Sequence, residues 1–272
     1  MNLIGLPKHL RAYAKAFLNI VKTLNLSAVP LTSNPRKLFD YSQASLFYRK
    51  QVSGQGLPSM EIQEFFGSEI YHTEVILSYN THDRWYSRRS DYLKDMIALC
   101  LICKAIKPTK IFEIGTSVGV TAQVFACNSE PNCLVYTLDL PLDYDTSTLS
   151  LDTTIVDENV MKHRRVSDYV WENLPKELVE KINPLHGDSA TFDFSPYENQ
   201  VDIFYIDGSH SYEYVKSDTS KAFECIKSEG VIVWHDYGRD GINGVTRYLD
   251  ELSKKIQIFR VPGSSIAFTR VD

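Results

Sequence analysis

Five short apolar segments recur between residues 110 and 236, and each ends in an abrupt change of chemistry. They are KIFEIG (110–115), LVYTLD (134–139), INPLHGD (182–188), VDIFYID (201–207) and GVIVWHD (230–236). Near-continuous apolar runs of this length, without the alternation of a half-buried strand, describe strands covered on both faces. The segments between them carry helical spacing, as in TSVGVTAQVFAC (116–127) and YEYVKSDTSKAFECI (212–226). Strands alternating with helices build a parallel sheet sandwiched between helical layers. Two more strand-like runs, IQIFRV (256–261) and SSIAFTR (264–270), follow one another with no helix between them and read as a closing antiparallel hairpin.

The expected fold is therefore α/β, a Rossmann-like open sheet of about seven strands, mostly parallel with an antiparallel C-terminal strand and helices on both faces. With 272 residues and 43% hydrophobic content the chain can bury a large core. The regular pattern assigns residues 89–272 to this domain. Residues 1–88, broken by Pro30, Pro35, Gly54, Gly56 and Pro58, are expected to form a helical and loop extension used for oligomerisation or as a lid. A homo-oligomer is the expected assembly.

Net charge is −5, which offers no overall basic footprint for nucleic acid. The charge is uneven, because no Asp or Glu precedes Asp40 while Lys8, Arg11, Lys15, Lys22, Arg36 and Lys37 do. Along residues 8–24 the first four of these share one helical face, opposite Leu10, Tyr13, Phe17, Val21 and Leu24. That face suits packing on the body or on a second subunit; peripheral contact with an anionic membrane is the sharper alternative. The five cysteines lack framework spacing, and Cys100 and Cys103 in SDYLKDMIALCLICKAI (90–106) read as buried small hydrophobes. With no 18-residue apolar run and no signal-peptide pattern, the expected location is the cytoplasm.

In open α/β sheets, ligands bind beyond the carboxyl ends of the strands. Those ends here carry Glu113 and Gly115, Asp139, Asp188, Asp207, and His235 with Asp236. EIGTSVG places Gly115 and Gly119 in a strand–turn–helix context, where a missing Cβ permits a sharp turn and close approach of a ligand. Asp139, ending the next strand, stands where a ribose diol is received. With FEIGTSVG, Asp139 and HGDSA in place, the chain resembles class I S-adenosylmethionine-dependent methyltransferases. The resemblance implies S-adenosylmethionine as cofactor. Glu113, Gly115, Thr116, Ser117 and Gly119 would line its methionine part, Asp139 its ribose, Asp188 and Ser189 its adenine edge, and Asp207 would complete the set.

Asp207 and Asp236 end two strands that, if adjacent, lie about 4.8 Å apart, close enough to face one another across a cation. YIDGSHSYEYVKSD and GVIVWHDYG resemble a narrower branch that holds macrocin-type O-methyltransferases and cephalosporin-hydroxylase-like proteins. That resemblance spans roughly residues 85 to 270. It implies a divalent metal, Mg²⁺, at Asp207, His235 and Asp236, and a small-molecule or glycosyl acceptor. His235 and Ser209 stand where the antibiotic-sugar enzymes carry acids, so the base role moves to His210. The catalytic set is then His210, Asp207 and His235, directing in-line attack of an acceptor hydroxyl on the sulfonium methyl. A bland reading of His235 makes it a half-buried partner of Asp207 without metal. Two further functions stay open, namely a metal-dependent oxygenase using His210, His235 and an Asp, and a non-catalytic cofactor-binding or assembly protein.

Overall fold

The structure is a computed structural model that describes residues 56–67, 70, 72–77, 90–163, 169–239 and 242–272. The amphipathic stretch at 8–24 lies outside the described residues. Strands β1 (Lys110–Ile114), β2 (Leu134–Asp139), β3 (Ile182–His186), β4 (Val201–Ile206), β5 (Ile226–Trp234), β6 (Phe259–Arg260) and β7 (Ala267–Arg270) form one sheet in the order β3-β2-β1-β4-β5-β7-β6. The first five are parallel, and β7 runs antiparallel to both β5 and β6. This is the mostly parallel, Rossmann-like sheet with an antiparallel end that the strand pattern calls for.

The central strands β1 and β4 are apolar on both faces because both faces are covered; β3, at the sheet edge, alternates instead, with Pro184 and His186 exposed, so the doubly covered strand expected at 182–188 is not found there. Along β4, Ile203 and Tyr205 enter the core that contains Leu99, Ile102 and Phe125, while Phe204 and Ile206 enter the opposite core with Phe112, Val215 and Trp234. Burying each such side chain is worth about 1.5–3 kcal/mol before chain entropy is counted. The helices doing the covering are α2 (Ser90–Ile106), α3 (Val120–Asn128), α6 (Tyr212–Cys225) and α7 (Asn243–Leu252). Cys100 and Cys103 on α2 are buried and unpaired, and burial pushes the Cys100 thiol up to about 12, so it stays an inert hydrophobe. No described helix is long and apolar enough to cross a membrane.

Residues 57–66 pack onto the hairpin rather than standing apart from it. Met60 N donates to Arg260 O and Arg260 N donates to Pro58 O. Helix α1 (Ile62–Phe66) sets Phe65 edge-on to Phe259 and Phe268, at centroid separations of 5.5 and 5.0 Å. The long excursion between β2 and β3 contains α4 (Ile155–His163) and α5 (Lys176–Val179).

Sheet order reverses between β1 and β4, with β2 and β3 on one side and β5 on the other. The loops after β1 and β4 therefore leave in opposite directions and open a crevice at their shared carboxyl edge.

Candidate active site

Two polar constellations meet along that edge. The first follows β1 and β2. Asp139 is half-exposed at the end of β2; its Oδ2 accepts from Ser117 N at 2.7 Å and its Oδ1 from Leu140 N at 2.7 Å. The carboxylate is thus held against the turn at 115–119. Glu113, beneath that turn, is fully buried and takes the Thr137 hydroxyl on Oε2, and Thr137 in turn meets Thr116 at 2.7 Å. Burial pushes the Glu113 carboxyl well above the usual range, and its Oε1 has no hydrogen-bond partner.

The glycines of the turn serve the protein itself. A Cβ on Gly115 would lie 2.0 Å from the Asp207 carbonyl oxygen, and one on Gly119 would lie 1.9 Å from the Trp171 ring. Asp188 is likewise committed: Oδ1 accepts from Ala190 N and the Tyr214 hydroxyl, and Oδ2 accepts from Ser150 N. It pins the excursion after β2 to α6, leaving Ser189 as the more open member of the expected adenine pair. The set fits a nucleoside cofactor through the half-exposed Asp139 beside backbone N–H groups and the orphaned acceptor on Glu113.

The second constellation follows β4 and β5. Pairing of Ile206 with Trp234 brings Asp207 next to His235 and Asp236. His235 Nδ1 lies 3.0 Å from Asp207 Oδ1 and 3.4 Å from Asp236 Oδ1, and its Nε2 lies 3.1 Å from Asp95 Oδ2. His210 Nδ1 lies 2.5 Å from Asp157 Oδ1, and its Nε2 lies 2.8 Å from Asp236 Oδ2. Arg239 Nη1 donates to Asp236 Oδ1. Carboxylates and cations thus alternate from Asp157 through His210, Asp236 and His235 to Asp95.

Charge balance sets the protonation of this chain. Burial opposes a charge on His210, but Asp157 and then Asp236 outweigh it and raise the imidazole to about 10. His235 is raised well above its ordinary value by Asp207 and Asp236 against the same burial penalty. Burial would raise Asp236 too, yet His235 and Arg239 hold it well below the carboxylate range. Both rings are thereby driven toward the imidazolium form, in which each ring nitrogen donates. His210 in this form carries a proton and has no lone pair with which to take one. The two histidines lie on opposite sides of Asp236, so they do not converge as a shared metal-binding pair.

The expected metal set was Asp207, His235 and Asp236. Among the described residues, the three whose ligand atoms lie within 4.8 Å of one another are Asp207, His210 and Asp236. His235 is turned to Asp95 and Asp207, as its bland reading has it. With the His210 Nε2 proton removed, two carboxylate oxygens and an imidazole nitrogen would suit a divalent cation such as Mg²⁺ or Mn²⁺.

Asp157, Asp95 and Arg239 are site residues that the sequence did not single out. Asp157 closes a capping box on α4, where Thr154 Oγ1 accepts from Asp157 N and Asp157 Oδ2 accepts from Thr154 N. The spacing T-x-x-D was a visible signal for the helix start, though not for the site. Asp95 was visible as an acid inside an apolar helix; it is 3% exposed and also accepts from Ser265 N and Oγ. A small cleft lined by Asp207, Gly208, Ser209, His210, Trp234 and His235 opens beside the cluster.

A search of curated proteins finds no match to this chain. Among solved structures, the chain is similar to an O-methyltransferase of tomaymycin synthesis from Streptomyces achromogenes in complex with SAM. Identity there is 11%, the TM-score is 0.44, and coverage is 98% of this chain and 100% of that one. An O-methyltransferase from Bacillus cereus in complex with SAH aligns at 13% identity and a TM-score of 0.45, covering 85% of this chain and 100% of that one. An SAH-bound methyltransferase from Podospora anserina aligns at 13% and 0.45, covering 90% and 99%. Residues 112–237, which run from β1 to the turn after β5 and carry both constellations apart from Asp95 and Arg239, match the family model described as a methyltransferase domain.

Proposed function

We propose that the protein is an S-adenosylmethionine-dependent O-methyltransferase acting on a hydroxyl of a small molecule or glycosyl group. The observation that carries this reading is the half-exposed Asp139, fixed to the turn after β1, on the same sheet edge as the cluster around Asp207. The methyltransferase-domain match over residues 112–237 supports it.

The cofactor lies across the turn at 115–119, with its ribose diol on Asp139, its ammonium toward Glu113 and its adenine near Ser189. The acceptor approaches at Asp207, whose side chain is 25% exposed and is the most open of the Asp groups around the two histidines. Attack of the acceptor oxygen on the methyl carbon forms the C–O bond as the S–C bond breaks, and neutral S-adenosylhomocysteine leaves. Most of the rate gain comes from alignment, because the sulfonium charge disappears as the methyl moves. The hydroxyl proton passes to Asp207, since His210 is already protonated; this moves the base role expected of His210 onto the carboxylate. Through Nδ1, His235 holds Asp207 in place. A divalent cation at this edge would supply Lewis acidity that lowers the pKa of the hydroxyl.

Calorimetric titration with S-adenosylhomocysteine is expected to show binding, and Asp139→Ala is expected to weaken it by about 10- to 100-fold, the loss of one or two charge-assisted hydrogen bonds. No binding to the wild type at millimolar ligand would exclude the cofactor.

A further inference from the structure

The excursion between β2 and β3 is fastened to the carboxyl edge of the sheet at two separate places. On one side Ser150 N donates to Asp188 Oδ2, just past the end of β3. On the other, the Asp157 carboxylate meets Ser209 Oγ at 2.8 Å, His210 N at 3.1 Å and His210 Nδ1 at 2.5 Å, just past the end of β4. Strands β2 and β1 lie between β3 and β4, so the two anchors stand three strand spacings, about 14 Å, apart. The seven steps from Ser150 to Asp157 reach at most about 23 Å, enough for that span with little slack for a detour. Residues 150–157 thus pass the ends of β2 and β1, where Asp139 and the turn at 115–119 stand. We propose that this segment is a strap closing over the cofactor, and that the hold of Asp157 on residues 209–210 is the latch that sets how fast S-adenosylhomocysteine leaves. The gate presupposes the cofactor position proposed above and concerns how the cofactor comes and goes.

What holds the strap down also makes it releasable. From residue 140 to residue 162 no apolar side chain is buried or joins either core, and Leu142 and Val160 are exposed. A segment that buries so little apolar surface opens at a fraction of the cost of global unfolding. Asp157 is the exception in this stretch, with its side chain 6% exposed. Hydrogen bonds to a carboxylate are stronger than those between neutral groups, so this one residue carries much of the hold. Farther along the excursion the attachment changes. Trp171 is buried against Gly119, and Val170 N donates to Val118 O, so opening stops short of that point.

Release is read by loading the protein with radiolabelled S-adenosylhomocysteine and chasing with unlabelled ligand. Asp157→Ala is expected to release it about 10- to 100-fold faster, because lid opening limits the escape of an enclosed product. Hydrogen exchange supplies the structural readout. S-adenosylhomocysteine should slow exchange across residues 150–157 of the wild type, and Asp157→Ala should speed it there while β1, β4 and β5 keep their protection. Thermal unfolding shows whether the variant is folded; if it is not, Asp157→Asn takes its place, with a smaller acceleration in the same direction. Unchanged release from the folded variant, or no protection of 150–157 on binding, would overturn the strap alone. Faster exchange throughout the sheet would assign the effect to general destabilisation and overturn it as well. A wild type that binds no S-adenosylhomocysteine would overturn the cofactor reading and the gate with it.

Discussion

Asp218→Asn is expected to gain stability over the wild type as pH rises from about 4 to about 7 and to keep that margin above neutral pH. Asp218 on α6 is fully buried, and neither carboxylate oxygen has a hydrogen-bond partner. Burial pushes its carboxyl from 3.8 up to about 7; the approach of the Ser189 side chain offsets part of this, and the charge of Asp188 adds to it. Between those two values the folded protein keeps a proton that the unfolded chain has released. Stability therefore falls as pH rises through this window and levels off above the folded value. Three pKa units at about 1.4 kcal/mol each make the loss roughly 4 kcal/mol by about pH 8. Asn has the same shape and does not ionise, so the variant escapes the loss, and any cost of its own amide is independent of pH. Urea unfolding of both proteins at about pH 4, 6 and 8 measures the difference. A margin that stays constant across those conditions would show that Asp218 is charged in the folded state.

Gly115→Ala should cost about 3–5 kcal/mol and disable the site together with the fold. Gly115 has φ 103°, a conformation that L side chains rarely adopt, and its Cβ would sit 2.0 Å from the Asp207 carbonyl oxygen and 2.5 Å from the carbonyl carbon. Those atoms belong to backbone held by Asp207 N donating to Ile114 O, so they cannot swing aside as a long side chain could. The loop after β4 would have to move away from β1, taking Asp207 and His210 with it. Thermal denaturation reads the stability loss, and S-adenosylhomocysteine titration at low temperature reads the site. Wild-type stability in Gly115→Ala would mean that the β1–β4 edge is looser than its packing indicates.

The fate of Gly115 shows where sequence reasoning stops. Its place after an apolar strand marked a turn, and the turn is there. Why it must be glycine was not visible, because the atom that excludes a Cβ belongs to Asp207, far along the chain. The same division runs through the cluster. Asp207, His235 and Asp236 could be grouped in advance because each ends an apolar strand, and parallel strands put their ends on one edge. Asp139 could be placed beside the glycine turn for the same reason. Asp157 and Asp95 could not be so placed. They arrive on helices, 53 residues before His210 and 140 residues before His235, and helix periodicity says which face is buried but not what it is buried against.

The role of each histidine depends on those two acids. By the resemblance drawn from the sequence, His235 was the expected ligand and His210 the expected base. Asp95 takes one nitrogen of His235 and turns that ring into a prop for Asp207. Asp157 takes one nitrogen of His210 and aims the other at Asp236. The sequence by itself determined the sheet, the edge that carries the candidate site and the polar groups at its strand ends, because strand periodicity is local and parallel strands share a direction. Only the tertiary structure decided what each imidazole does, because a ring with two nitrogens takes its role from whichever carboxylate reaches each of them, and those carboxylates come from helices distant in the chain.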